Sequence, residues 1–211
     1  MKPLQGIFFR DWENDHVIDI FKEIFFEKLY DHIIKKGDVV VDVGANQGFF
    51  TWWAHLKGAL KIYSVEPSAM HVEALKKMIE FNKINAEVIP AALSDKDGEM
   101  TFYHNDNTTM FMLQKTDEKA QSETVKTMTI GTLLKDIPHI HLLKVDIEGA
   151  ENTCFANSTF DLVAPKIDNI ILEYHSWSGI SVTLLMNTIR DRGFTVTQLQ
   201  TQATVLWFQK K

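Results

Sequence analysis

Apolar and polar positions along the chain follow two periods, and the period switches repeatedly. Across residues 16–36, Val17, Ile20, Phe21, Ile24, Phe25, Leu29 and Ile33 recur on one helix face, with Asp19, Lys22, Glu23, Glu27 and Lys28 between them. Gly37 follows as a stop signal. Val39–Val43 is an apolar run of strand length broken only by Asp42, and a helix is predicted over 49–57, closed by Gly58. A second strand over 61–66 leads through Pro67 into a helix over Ala69–Asn82, and 86–93 reads as a third strand in which Pro90 marks an irregularity. Strand, helix, strand, helix, strand at this spacing implies right-handed crossovers and a parallel sheet.

The second half is less regular. Asp97-Gly98 reads as a turn followed by a short strand, the polar stretch 105–123 as a loop, 124–130 as a strand, and Leu133–Leu134 as part of a short helix. "HLLKVDIEGAE" is a buried strand running into a helix, "IDNIILEYH" is another strand, and 181–192 is a helix stopped by Gly193. "FTVTQLQTQATVLWFQ" closes as two strands around a polar turn, expected as an antiparallel hairpin at a sheet edge. No repeat appears. The reading is an α/β domain over 37–211 with an N-terminal helical extension over 1–36.

Composition narrows the classes. The 211 residues suffice for one core, and 45% hydrophobic with 24% charged residues is the balance of a soluble globular chain. A net charge of −6 argues against a nucleic-acid partner, which usually meets a basic face. The single cysteine, Cys154, rules out an internal disulfide. The first residues reach charge too early for a signal peptide, and no stretch approaches the roughly 20 apolar residues of a membrane span, so a cytoplasmic protein is expected.

The candidate chemistry begins where the first strand ends. "DVGANQG" (Asp42, Val43, Gly44, Ala45, Asn46, Gln47, Gly48) runs from a buried strand into a helix, a place where glycines let the backbone turn and approach a ligand. A dinucleotide loop would read G-x-G-x-x-G and lay a pyrophosphate on the helix N-terminus. Here Asn46 replaces the middle glycine and Asp42 sits at the strand end, where a carboxylate disfavours pyrophosphate and favours the ammonium and sulfonium of S-adenosylmethionine. Glu66, 20 residues beyond Asn46, is placed to accept hydrogen bonds from two ribose hydroxyls and fits either cofactor.

These residues, with those that follow, resemble a known family. "VVVDVGANQGFFT", "VEP", "AALSDKDGEMTFY", "LLKVDIEGAE" and "EYH", in this order, are similar to the FkbM-type S-adenosylmethionine-dependent methyltransferases. The resemblance implies a Rossmann-like class I methyltransferase fold, a mostly parallel seven-stranded sheet with an antiparallel terminal strand. It implies S-adenosyl-L-methionine as cofactor, S-adenosyl-L-homocysteine as product, and Asp42, Gly44, Ala45, Asn46, Gly48, Glu66 and Asp146 as cofactor residues. Ala92, in the "AAL" of residues 91–93, is expected on the adenine side through its backbone. One departure is Gly131 in "TIGTLL", where the family has an acid; it bears on local packing rather than on chemistry.

At the strand ends the period of two gathers Lys144, Asp146 and Glu148 on one side, and Glu173 with His175 on the next strand. His175 is the candidate base, because its ordinary pKa lies near working pH. Asp146, Glu148 and Glu173 complete the candidate catalytic set by orienting an acceptor hydroxyl. The blander readings are a strand-end histidine, acids that favour a helix N-terminus, and a Lys144 that only pairs with a neighbouring acid. A divalent metal on Asp146, Glu148 and Glu173 is not favoured, and "HIH" (His139, His141) lacks a third ligand in the sequence, so no metal site is assigned. The expected activity is O-methylation of a small-molecule or glycan hydroxyl, with a homodimer through the aromatic face of the first helix as an open possibility. The alternatives are a nicotinamide-dependent oxidoreductase and a non-catalytic protein that keeps the fold.

Overall fold

The computed structural model describes residues 15–26, 30, 33–104, 121–175, 181–198 and 205–211. Its first half runs α1 (Asp15–Phe25), β1 (Val39–Val43), α2 (Phe49–Leu56), β2 (Lys61–Val65), α3 (Ala69–Asn82), β3 (Ala86–Ile89), β4 (Ala92–Leu93) and β5 (Gly98–His104). The second half runs β6 (Gln121–Met128), α4 (Ile130–Leu134), β7 (Ile140–Val145), α5 (Glu151–Ala156), α6 (Thr159–Val163), β8 (Ile167–Glu173), α7 (Val182–Arg190), β9 (Phe194–Gln198) and β10 (Val205–Lys210).

Seven strands form one sheet in the order β3-β2-β1-β7-β8-β10-β9. All neighbours are parallel except β10, which lies antiparallel between β8 and β9. The near-continuous apolar strands have the cause expected of a sheet covered on both faces. Val41, Val43, Leu143 and Val145 pack with α4–α7 on one side, and Val40, Leu142 and Ile171 pack with α1 and α2 on the other. The chain leaves β1 toward β2 and returns to β7 on its other flank, so the topological switch lies between β1 and β7, and their carboxyl ends open a crevice there.

Three expectations change. The amphipathic stretch 16–36 does not form one helix: α1 ends at Phe25, and Ile33–Ile34 precede a turn in which Lys35 N–H donates to Asp38 Oδ2 at 2.8 Å. Packing outweighs periodicity here, because the break lets Tyr30 stack edge-on against Phe50 and Trp53 while Phe25 meets Trp52. The stretch 86–93 is split at Pro90 into β3, in the large sheet, and β4, which joins β6 and β5 in a separate three-stranded sheet. Of the polar stretch 105–123, the last three residues belong to β6, where the β5–β6 ladder extends to Gln121, and 105–120 lie outside the described residues. Gly131 has a packing reason as well: a Cβ there would sit 2.5 Å from Thr159 Cβ, so the contact of α4 with α6 needs a glycine.

Candidate active site

The loop after β1 is shaped by what it must avoid. A Cβ on Gly44 would lie 1.8 Å from the Asp146 carbonyl oxygen, and Gly44 holds φ +77, so only glycine lets the loop close onto the end of β7. Gly44 and Ala45 both donate to Val65 O at 3.0 Å, which ties the loop to the end of β2. Asn46 also has positive φ, at 49°, and Gly48 enters α2 with φ 96°. Asn46 thus takes the left-handed turn its short amide tolerates, and its Oδ1 accepts from Gln47 N–H at 2.7 Å.

Glu66 caps the far side of this loop. Its Oε2 accepts Asn46 N–H at 2.9 Å, its Oε1 accepts Ser68 N–H at 2.9 Å, and His71 Nδ1 lies 3.6 Å away. The carboxylate is nearly sealed yet lines the cavity, and each oxygen keeps a further lone pair for a ligand hydroxyl. Asp42 is placed differently. It is fully buried beneath the loop, in register with Ser64 on β2 and Lys144 on β7. Thr51 Oγ1 donates to its Oδ2 at 2.8 Å, and Lys144 Nζ lies 3.4 Å from Oδ1. Burial raises the Asp42 pKa against the opposing pull of Lys144 and Thr51. Lys144 also donates to Gly44 O at 3.2 Å and faces Asp146 Oδ2 at 3.5 Å. Burial lowers its pKa, but Asp146, Asp42 and Glu173 outweigh that and raise it overall, so the ammonium stays charged.

Beyond β7 the chain turns through Glu148 (φ 55°) and Gly149 (φ 100°). This folds Glu148 back toward the end of β8, and its Oε2 comes within 3.4 Å of His175 Nε2; Asp146 Oδ1 lies 3.9 Å from the same nitrogen. On the other side of the ring, His175 Nδ1 meets Glu151 Oε1 at 2.9 Å, and that oxygen also accepts Gly149 N–H at 3.0 Å. Burial opposes the charged imidazole, but the Glu151 bond and the Glu148 and Asp146 charges raise its pKa to about 9. His175 is therefore an imidazolium at neutral pH, unlike the near-neutral base its residue type suggests. Burial raises the Glu148 carboxyl, and burial with Asp146 and Glu23 raises Glu173 to about 8.

Of the site residues expected from the sequence, all except Asp42 and Gly48 line one cavity of about 390 Å³. Gly44, Ala45, Asn46 and Glu66 form one wall, Ala91–Asp95 another, and Asp146, Glu148, Glu173 and His175 the third. Ala92 lines this cavity with its neighbours Ala91 and Leu93. Ile20, Glu23 and Ile24 of α1, with Tyr30, close the cavity on the fourth side. The sequence reading did not place Glu23 or Glu151 in the site: a helix-face acid and a helix-start acid carry no signal of what they face across the fold.

A mostly parallel seven-stranded sheet with one antiparallel strand, and an acid-rich cavity at the carboxyl ends of its switch-point strands, define a Rossmann-like methyltransferase. The Methyltransferase FkbM domain matches residues 42–196, and the chain belongs to that family, whose members are S-adenosylmethionine-dependent methyltransferases. The 31-O-demethyl-FK506 methyltransferase FkbM of Streptomyces tacrolimicus is 26% identical over 84% of this chain and 81% of its own. Methyltransferase 1 of Beauveria bassiana is 27% identical over 84% and 80%. Among solved structures, a candidate methyltransferase from Streptococcus mutans in complex with SAH has TM-score 0.53 at 11% identity, covering 92% of this chain and 97% of that one. An rRNA methylase from Streptococcus thermophilus has TM-score 0.54 at 11% identity, covering 87% and 92%; these two likenesses concern the fold. The cavity fits the family's cofactor, because Glu66 stands fixed in its lining by Asn46 and Ser68, and the carboxylates of Asp146, Glu148 and Glu173 in the same lining favour a positively charged ligand. Among the described residues, no helix is long and apolar enough to cross a membrane.

Proposed function

We propose that the chain transfers a methyl group to a hydroxyl oxygen of a small-molecule or glycan acceptor. The observation that carries the reading is the acid–imidazole cluster of Asp146, Glu148 and His175 facing the glycine loop and Glu66 across one cavity. An oxygen acceptor is further supported by the Streptomyces relative, which is named for a 31-O-demethyl substrate.

S-adenosylmethionine supplies, when bound, a methyl group on a positively charged sulfur. In this reading the loop at Gly44–Asn46 and the Glu66 carboxylate hold its amino-acid and ribose ends, and residues 91–93 border its adenine. Asp42 acts at one remove, by fixing Lys144 beneath the loop through the 3.4 Å ion pair. Methyl transfer is an in-line displacement at an already activated carbon, so the chain's task is to align the acceptor and remove its proton. The acceptor's O–H donates to Asp146 or Glu148 and its proton passes to water as the O–C bond forms; Glu173 borders the acceptor, and His175, held by Glu151, orients the two carboxylates. The extension over 1–36 contributes the acceptor side through Ile20, Glu23, Ile24 and Tyr30.

Calorimetric titration with S-adenosylhomocysteine, with NADH in parallel, tests the cofactor half. The expected outcome is binding of the former alone, weakened at least tenfold by Glu66→Ala. A screen of hydroxylated acceptors with methyl-labelled cofactor tests the other half, and the label should appear as an ether. Label found only on nitrogen would refute oxygen transfer, and NADH binding in place of S-adenosylhomocysteine would refute the site assignment.

A further inference from the structure

Two clusters among the described residues bring three metal-ligating side chains together. The first, His139, His141 and Asp168, supplies the third ligand the sequence did not show, but its nitrogens are engaged. Val39 N–H donates to His141 Nδ1 at 3.0 Å, which leaves the neutral ring's proton on Nε2, and His139 Nε2 pairs with Asp168 Oδ2 at 2.9 Å. It also lies at the amino ends of β1, β7 and β8, opposite the cavity.

The second cluster is Asp146, Glu148 and His175, whose ligand atoms lie within 4.8 Å of one another. Three observations set it apart from a chance gathering of acids. Glu151 holds Nδ1 of His175 and is itself held by Gly149 N–H, so Nε2 is turned toward the two carboxylates; a carboxylate behind a histidine is the usual support of a metal-bound imidazole. Glu148 Oε2 is sealed from solvent and has no hydrogen-bond partner, even with Nε2 at 3.4 Å. Glu148 also occupies a left-handed backbone conformation that costs a non-glycine residue on the order of 1 kcal/mol, which the turn sustains while aiming its carboxylate inward.

We propose that Asp146, Glu148 and His175 bind one hard divalent cation, with Mn²⁺ as its representative, which holds the acceptor's hydroxyl for methyl transfer. This rests on the methyl-transfer reading of the same cavity. Two carboxylates against one imidazole favour the oxygen-preferring ions Mg²⁺, Ca²⁺ and Mn²⁺, and of these Mn²⁺, a transition metal, best accepts a single nitrogen ligand. Adjacent ligands of an octahedral ion with bonds of about 2.1 Å stand roughly 3 Å apart, so the separations of 3.4 and 3.9 Å close by side-chain adjustments of less than about 1 Å. Binding displaces the Nε2 proton of His175 to water, so that the neutral ring's lone pair takes the cation, and three protein ligands leave the remaining positions open to the cavity. The cation draws electron density from the coordinated hydroxyl, whose O–H bond breaks with the proton passing to water and the pair staying on oxygen. That pair forms the new O–C bond while the C–S bond breaks and its electrons return to sulfur, giving a methyl ether and S-adenosylhomocysteine.

The test is titration of the chelator-treated chain with MnCl₂, reading free Mn²⁺ by electron paramagnetic resonance, with S-adenosylhomocysteine calorimetry on the same samples. One Mn²⁺ per chain is expected, with affinity reduced at least tenfold in Glu148→Gln and His175→Ala. Glu151→Gln should weaken binding roughly 10–100-fold, as loss of a supporting carboxylate does. His139→Ala should bind as the parent does, and circular dichroism reports whether each variant folds. No saturable binding by the parent up to millimolar Mn²⁺ overturns the proposal, whatever the variants do, and so does loss of binding in folded His139→Ala. Cofactor binding without Mn²⁺ binding removes the metal and spares the methyl-transfer reading. Mn²⁺ binding without cofactor binding keeps the metal site and removes that reading.

Discussion

Replacing Gly44 by alanine separates two physical effects that glycine avoids at once. The first is backbone strain: φ +77 places an L-residue in the left-handed region, at about 1–2 kcal/mol. The second is contact: the new Cβ would lie 1.8 Å from the Asp146 carbonyl oxygen, whereas 3.0 Å is about the least that real Cβ atoms show, so loop and strand end must part by about 1.2 Å (3.0 − 1.8). Forcing a methyl into packed structure adds about 1–3 kcal/mol. Gly37 supplies the control, since it holds φ +98 and a methyl added there would meet nothing within 4 Å, and Gly37→Ala therefore carries the strain alone. Urea denaturation should show Gly44→Ala losing about 2–5 kcal/mol and Gly37→Ala about 1–2 kcal/mol. At this chain length each kcal/mol lowers Tm by about 2–4 °C. Asp146 is moved by the same clash, and a misplacement of about 1 Å near reacting groups costs on the order of 100-fold in rate, so Gly44→Ala should be nearly inactive while Gly37→Ala stays near the parent. Equal destabilisation of the two variants, or a Gly44→Ala protein with parental activity, would refute the close-approach argument.

Lys144→Met strands the Asp42 carboxylate without its cation and should destabilise the protein by about 3–5 kcal/mol in urea denaturation; Asp42→Asn in the same chain should recover most of the loss, and no recovery would mean that Lys144 acts otherwise. Asp97 accepts Thr129 N–H and Thr132 Oγ1–H, both at 2.7 Å, and the Thr129 bond foremost holds its pKa below the ordinary value. The unfolded chain then binds the proton first, so this contribution is present above about pH 4 and fades as pH falls through the lower folded value. The stability gap between parent and Asp97→Asn should therefore shrink from pH 6 to pH 3, and a gap independent of pH would sink the assignment. Cys154 is fully buried, and burial, then Glu151 and Asp95, push its thiol pKa up, so a thiol reagent should label the native chain only as fast as it unfolds. Rapid labelling of the folded protein would contradict that burial.

What the sequence made legible was local. "DVGANQG" requires positive φ and close approach within seven residues, and Glu66 stands at a spacing fixed by one strand–helix–strand unit, so both could be read without knowing the sheet. The strand ends were legible because a period of two carries Glu173 and His175 to one edge. Partners brought together by the fold were not. Glu151 reaches His175 across 24 residues and Lys144 reaches Gly44 across 100, and only the register Asp42↔Lys144 creates the second meeting. The break of the first helix was hidden for a related reason, since its cause is the docking of Tyr30 on Phe50 and Trp53.

The same distinction explains why His175 was given a plausible role for an incomplete reason. Residue type supplied an ordinary pKa near 6.5, which suits a base. The fold surrounds the ring with Glu151 on one side and Glu148 and Asp146 on the other, and that company favours positive charge at Nε2 more than it favours a free lone pair. Glu23, Glu66, Asp95 and Glu173 line the same cavity, while its walls offer the cations Lys144 and His175, and Lys144 is already committed to Asp42 beneath the loop. Burial first, and the neighbouring carboxylates after it, raise the Glu148 and Glu173 carboxyls, and a positive group beside them lowers them again. A sulfonium cofactor supplies that charge and an anionic pyrophosphate opposes it. A second cation at the strand ends supplies it as well, where three ligand atoms already face one another.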